Sequence, residues 1–245
     1  MRSFLKMTWF ELKLFSREPF AFFFTLAFPL VVLFIFGSIF GNDPVDFLNG
    51  RGTVDNSVPG YIGMIIGSLA LLSLPVGLAT YREKGILRRL RATPVSSLTI
   101  IGTQIIVHLL MLVIGVALLF AAGLLVFDLS LPQSFINMLI AVLIGSASFF
   151  AFGFLLAAVL PSSRAALSVG MAVFFPMLFL SGAALPREMF PEAVKTVGNF
   201  LPLTHVVELI KGVWFDGNWS TSALAVLAGF LALSLVVAAR LFRWE

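Results

Sequence analysis

Six long apolar runs alternate with short polar segments along the 245-residue chain. They cover 20–40, 60–80, 99–127, 135–160, 165–185 and 221–241. Each reaches the roughly 20 residues that a membrane-spanning helix needs. The run over 99–127 is long, which predicts a tilt or a start at the membrane surface. Within each run the apolar residues are continuous, whereas barrel strands would alternate over about 10 residues. The pattern predicts an all-α integral membrane protein with six transmembrane helices, and one membrane domain over 1–245. The stretch 42–59, rich in Gly, Asp, Asn and Pro, reads as the main outer loop.

Three polar segments carry their own pattern. Over 3–17, Lys6, Lys13 and Arg17 fall within about 40° of one another at helical spacing. Phe4, Leu5, Leu12 and Phe15 lie opposite, with Trp9 between. This predicts an interfacial amphipathic helix, ended at Glu18-Pro19; the plainer alternative is a basic flank that only sets topology. Over 82–93 a second helix is predicted, ended by Pro94, with Ile86, Leu87 and Leu90 on one apolar arc. Lys84, Arg88, Arg89 and Arg91 spread over its other side. Lys84 and Arg88 are a like-charged i,i+4 pair, so this helix wants an acidic partner. Glu83 falls within the apolar arc and should need a cation from a neighbouring helix, with Lys13 and Arg17 as donors. Over 186–217 the chain is only moderately apolar and is broken at Pro202. Counting it as a seventh span would invert the charge pattern. It is predicted instead as an outer re-entrant helical hairpin, tolerated at membrane depth only when packed on protein or lining a cavity.

Composition agrees: 60% of residues are hydrophobic and 11% charged, and the mean hydropathy is +1.06. A soluble domain carries about 25% charged residues. The formal charge of +4 is too small to point to nucleic acid. Its placement says more. With the N-terminus inside, twelve of the sixteen basic residues fall on inner segments and eight of the twelve acidic ones on outer segments. Lys and Arg gather on the cytoplasmic side, so both termini are predicted cytoplasmic. The apolar run near the N-terminus is too long for a cleaved leader. With no Cys there is no disulfide or thiolate chemistry, which fits a bacterial plasma (inner) membrane.

Candidate chemistry inside the chain is sparse. There is no G-x-x-x-x-G-K-[ST], H-E-x-x-H or G-x-S-x-G. No catalytic residue is predicted, and the chain has no motif for hydrolysing a nucleoside triphosphate itself. His108 lies within the third run, one turn from Gln104; it is read as a neutral His hydrogen-bonded to Gln104 or a neighbouring helix, with an intramembrane functional role as the alternative. His205, Glu208 and Lys211 follow at one-turn spacing and are too few for a metal site; a Glu208–Lys211 pair is expected. Gly37–Gly41 and Gly63–Gly67 are both G-x-x-x-G, a spacing that permits close helix approach. Pro29, Pro75 and Pro176 should kink their spans.

The stretch Tyr81–Ser96, YREKGILRRLRATPVS, resembles the first cytoplasmic loop of ABC-2 (type-2 ATP-binding-cassette) exporter permeases. Glu83, Gly85, Leu87, Leu90, Arg91, Thr93 and Pro94 carry the likeness. A second stretch, LSGAALPREMFP followed by NFLPLTHVVELIKGVWFDG, is similar to that family's last outer segment through Ser181, Gly182, Pro186, Pro191, Pro202, Leu203, Thr204 and Gly212. His205 departs from the aromatic residue common there. The resemblance extends over the chain and leans toward bacterial drug and antibiotic exporters.

What this resemblance implies is specific. Two permease copies pair, by expectation as a homodimer, and two separate P-loop ATPase subunits bind beneath, holding the ATP and Mg that this chain does not bind. The loop becomes a coupling helix, with Glu83, Lys84, Gly85, Leu87, Arg88, Arg89, Leu90, Arg91 and Pro94 docking on the ATPase. The cargo path runs along the dimer interface, lined by Met64, Ser68, Leu72, Phe174, Phe175, Met177 and Phe179. Pro202, His205 and Glu208 sit on an outer gate. That lining, aromatic and thioether without fixed charge, suits a hydrophobic or amphipathic small molecule such as a drug, antibiotic or lipid, moved by alternating access. Export of a lipid-linked saccharide or polysaccharide is the alternative within the class. A secondary carrier would need coupling charges inside the spans, where only His108 stands. An intramembrane enzyme would need an acid, base or nucleophile cluster, and none is found.

Overall fold

The structure, a computed structural model, describes residues 2–86, 89 and 97–241. Among these, nine helices form: α1 (Arg2–Phe15), α2 (Pro19–Phe40), α3 (Thr53–Glu83), α4 (Ser97–Phe127), α5 (Phe135–Val159), α6 (Ser163–Leu180), α7 (Glu192–Gly198), α8 (Pro202–Phe215) and α9 (Thr221–Leu241). Among the described residues no strand occurs, only an isolated bridge between Val45 and Arg51. Six helices, α2 to α6 and α9, are long and apolar enough to cross a membrane. The chain is an all-α, six-span integral membrane protein.

Helix α3 is the hub. Of its most apolar window 89% is buried, against 22–56% for the other spans. It is ringed by α2, α4, α5, α6 and α8. The sequence does not separate such a helix from a lipid-facing one, because lipid and protein interior select the same residues.

α3 also starts earlier than the hydropathy indicates. Residues 53–59 were expected in the outer loop, yet the helix begins at Thr53. Tertiary contacts satisfy its polar first turns. The Asp55 carboxylate accepts from Asn42 Nδ2 at 3.0 Å and from the Ser130 amide at 2.9 Å. The Asp55 amide donates to Asn42 Oδ1 at 3.0 Å. An acidic residue in a first turn also suits the helix dipole. At the other boundary, α6 ends at Leu180 rather than 185. Ser181 caps it, and Gly182 follows at φ +87°, a left-handed turn that favours glycine.

Two predicted kinks take a definite form. Proline lacks an N–H and clashes with the carbonyl four residues back. Upstream of Pro29 and Pro75 the helix widens into single π turns, Phe23–Ala27 and Leu69–Ser73. There the Phe28 and Leu74 amides reach back five residues, to the Phe23 and Leu69 carbonyls. π turns of this sort are where helices absorb a local disruption. The carbonyls of Ala70 and Leu71 then lie directly on Gly153 of α5 and Gly170 of α6; a Cβ at either glycine would overlap the facing oxygen. Glycine alone permits this approach. Three of the four G-x-x-x-G glycines serve packing within the chain, and the fourth, Gly41, caps α2 at φ +68°. Gly63 faces Val207 of α8, Gly67 faces Phe174, and Gly37 faces the Phe127 ring.

Candidate functional site

At one end of the bundle, α1, the last turns of α3, the start of α4 and the α5–α6 turn converge. Arg82 and Glu83 close α3 and reach opposite helix termini. The Arg82 guanidinium donates to the Ala157 carbonyl at 3.1 Å and to the Leu160 carbonyl, at the end of α5. The Glu83 carboxylate accepts from Ser163 Oγ at 2.7 Å and from the Ser163 amide at 3.2 Å, at the start of α6. A cation on a C-terminus and an anion on an N-terminus both suit the helix dipoles. The expected cation partner for Glu83, Lys13 or Arg17, is therefore corrected. A hydroxyl and a helix-start amide serve instead, because α3 carries Glu83 past α1 to the α5–α6 turn. Ser162 caps α6 by accepting from the Ala165 amide at 3.1 Å. Ser162→Ala should cost about 1 kcal/mol, read as a lower thermal unfolding midpoint in detergent.

The predicted helix over 82–93 starts differently. Arg82 and Glu83 belong to α3, and Lys84 caps it. Gly85, at φ +65°, turns the chain, and Arg89 donates its amide to the Gly85 carbonyl at 3.1 Å. A left-handed glycine after a helix end is a common stop. Lys84 and Arg89 are exposed. Leu87, Arg88, Leu90, Arg91, Thr93 and Pro94 lie outside the described residues.

Beside this turn, α1 supplies a residue the sequence reading missed. Glu11 is buried, and the Tyr81 hydroxyl donates to its carboxylate. Lys13 and Arg17 are exposed, as are Trp9 and Phe10. A cavity of about 160 Å³ runs past Glu11, Glu18, Lys84 and Gln104 to Ser73 and His108. Burial raises Glu11 above the usual carboxylate range and the Glu18 charge adds to it, while Tyr81 and Gln104 hydrogen bonds oppose. Burial likewise raises Glu18, against Lys84. A carboxyl raised on folding stabilises the folded state below its unfolded range and loses that contribution as pH climbs through the folded value. Stability should therefore fall as pH rises beyond the ordinary carboxylate range. Glu11→Gln keeps an acceptor for Tyr81 and should flatten that slope in thermal unfolding across pH.

His108, deep in the same file, is fully partnered. Its Nδ1 donates to the Gln104 carbonyl at 2.8 Å, its Nε2 sits 3.2 Å from Ser73 Oγ, and the Phe15 and Phe150 rings stand edge-on to it. This is the hydrogen-bonded reading of His108.

The residues expected along a cargo path are not gathered on one surface. Met64, Ser68, Leu72 and Phe174 are buried within the subunit, and Met177 is nearly so. Phe175 is half-buried against Phe24, and Phe179 is 51% exposed. The α3 members of this set pack against the other helices of the same subunit. Ser68 instead hydrogen-bonds Thr25 at 3.4 Å and the Ile65 carbonyl at 2.9 Å.

At the opposite end, Pro202 opens α8, which buries Leu203, Val206, Val207, Leu209, Ile210, Val213 and Trp214. The expected Glu208–Lys211 pair is not made. Glu208 pairs with Arg187, and Lys211 reaches Glu188 at 3.4 Å. The 3₁₀ turn Arg187–Met189 folds back over α8, so both charges find closer partners across the chain. Burial alone would raise Glu188, but the Lys211 charge and hydrogen bonds from Asn56 and Lys211 hold it below the usual carboxylate range. Burial lowers Lys211 despite Glu188. Lys211→Met should cost about 1–3 kcal/mol by leaving Glu188 half-buried with fewer donors, checked by thermal unfolding. Among the described residues no group of three or more His, Asp or Glu is placed to hold a metal.

Six spans around a buried hub, with α3 tied through Arg82 and Glu83 to the end of α5 and the start of α6, define a multi-pass helical membrane protein. The family model described as ABC-2 type transporter matches residues 2–215, and the chain belongs to that family. It is thus the permease component of an ABC transporter, and membership implies a partner ATPase subunit. No curated protein gives a significant match to the chain.

Proposed function

We propose that this chain exports a hydrophobic or amphipathic small molecule, as one of two permease copies above two P-loop ATPase subunits, in a bacterial plasma membrane with both termini cytoplasmic. The loop over 84–96 docks on the ATPase through its cations, with Gly85 turning the chain away from α3. The observation that carries this reading is the Arg82–Glu83 clasp. It joins the start of the loop to the ends of α5 and α6, so a displacement of the loop is delivered to those spans. The two bound helix termini give that link a fixed direction and need no flexible intermediary.

The membrane face supports the cargo class and the topology. α1 presents exposed Trp9 and Phe10, suited to a lipid interface, with exposed Lys13 and Arg17 alongside. α6 presents Phe175 and Phe179 toward the outside of the subunit, without a charge on that half of the span. On this reading those residues face the second copy and the cargo, and Met64, Ser68, Leu72 and Phe174 reach the path only when the bundle rearranges. Pro202, His205 and Glu208 belong to the outer gate.

The test is stimulation of ATP hydrolysis in nanodiscs holding the permease and its ATPase. Apolar amphiphiles should raise turnover and oligosaccharides should not. Stimulation by a lipid-linked saccharide alone would move the cargo to the saccharide class. A Phe179→Ala variant should weaken the response to amphiphiles, seen as a higher half-maximal concentration.

A further inference from the structure

The turn after α6, the linker before α8 and α8 itself are joined by a ring of four residues, closed through both the side chain and the backbone carbonyl of Asn199, with three of its four links made. Arg187 donates from one terminal nitrogen to Glu208 Oε1 and from the other to Asn199 Oδ1 at 2.5 Å. His205 Nε2 lies 3.0 Å from the Asn199 backbone carbonyl. The fourth link is open: His205 Nδ1 lies 3.6 Å from Glu208 Oε2 and is a buried nitrogen with no hydrogen-bond partner.

The chemistry of the ring fixes where the proton is. A carbonyl oxygen only accepts, so Nε2 carries the hydrogen in the neutral imidazole. Nδ1 then holds a lone pair and faces a carboxylate oxygen. Two acceptors cannot bond. One added proton turns Nδ1 into a donor aimed at Oε2 and closes the ring without moving the Nε2 bond.

We propose that His205 is a proton-operated latch on this segment. Protonated, it ties Asn199 through Nε2 and Glu208 through Nδ1, and Glu208 in turn ties Arg187. Neutral, it leaves the ring open at that point. One proton gained or lost at Nδ1 switches the link between its open and closed forms. The other charges near the ring are engaged elsewhere. Glu188 pairs with Lys211, and Glu192 with Lys195 at 2.8 Å. Arg187 is the cation that opposes protonation, and Glu208 is the anion that favours it. A metal ion is a poorer occupant of the open link. It would find two ligands, with the Arg187 guanidinium already on the same carboxylate. The bond exists when His205 is charged and is lost as pH rises, so the segment should be held most firmly on the acid side.

The test uses the full-length chain in nanodiscs. It has only two histidines, His108 and His205, so an imidazole-nitrogen NMR spectrum is assignable with one variant. At the basic end of the titration His205 should show the Nε2–H tautomer. On acidification, hydrogen exchange of amides over 187–201, corrected for intrinsic rates, should slow about two- to fivefold relative to the spans. His205→Gln keeps a donor for Asn199 and cannot titrate, so it should remove this slowing while leaving the spans protected as in the native chain. His205→Phe should do the same and guards against a local effect of Gln. An Nδ1–H tautomer at the basic end, no slowing in the native chain, or equal slowing in both variants would each overturn the latch.

Discussion

Gly170→Ala is expected to destabilise the chain by about 3 kcal/mol or to prevent its accumulation, and Gly153→Ala to come close behind. At both sites the added methyl meets a backbone carbonyl, Leu71 and Ala70 respectively. A carbonyl in a helix cannot rotate aside as a flexible side chain can. Overpacking a well-filled interior costs about 1–3 kcal/mol and sometimes more. The cost here should sit at the upper end, because α3 is clamped on every side. Gly229→Ala supplies the contrast. No atom lies within 4 Å of its added methyl, and removing a helical glycine should be neutral or stabilise by up to about 1 kcal/mol. Thermal unfolding in one detergent reads all three. Equal midpoints would mean that the π turn of α3 does not rest on these glycines.

The second large effect concerns coupling. Replacing Arg82 and Glu83 together by Gln should leave the ATPase bound and its basal hydrolysis intact. The cargo-stimulated part should fall by about three- to thirtyfold, the range over which single links modulate coupling between sites. The pair touches the end of α5 and the start of α6, and no other described residue of the loop does so by hydrogen bond. Glu83→Gln alone should have a smaller effect, since its amide retains an acceptor for Ser163. Retained stimulation in the double variant would show that force reaches the spans by another route. Loss of ATPase binding would place these residues at the docking surface instead.

Much of the architecture was legible from hydropathy. The six spans follow from run length, and α9 begins at Thr221, where the last apolar run starts. What hydropathy hides is which apolar helix is central: Met64 and Leu72, in a run no more apolar than its neighbours, are buried among the other helices. The start of α3 was hidden for a different reason. Asp55 and Asn56 are helical because Asn42, Ser130 and Glu188 satisfy them from outside the helix, and no local pattern announces such partners. Prolines marked the sites of distortion, while the glycines that receive the displaced carbonyls lie 83 and 99 residues further on, at Gly153 and Gly170 for Ala70 and Leu71.

At the candidate site the charge types were readable and their pairing was not. One-turn spacing pointed to Glu208 with Lys211, but the turn carrying Arg187 and Glu188 exchanged the partners. Nothing in the local sequence marks Glu11 as a buried acid. Only the position of Tyr81 across the bundle shows it to be buried. Ser163 carried no motif at all, and its role depends on where α3 ends.

The central claim is that a separate ATPase drives this permease through the loop between α3 and α4. The most direct measurement is co-purification from native membranes in mild detergent, comparing the native chain with an Arg88→Glu, Arg89→Glu variant. A P-loop ATPase that stays with the native chain and is lost from the variant, while the variant keeps its native unfolding midpoint, is the predicted result. An ATPase retained equally by both would contradict docking through these cations. Its absence from the native chain, under conditions that hold other such complexes together, would contradict the ATP-driven account itself.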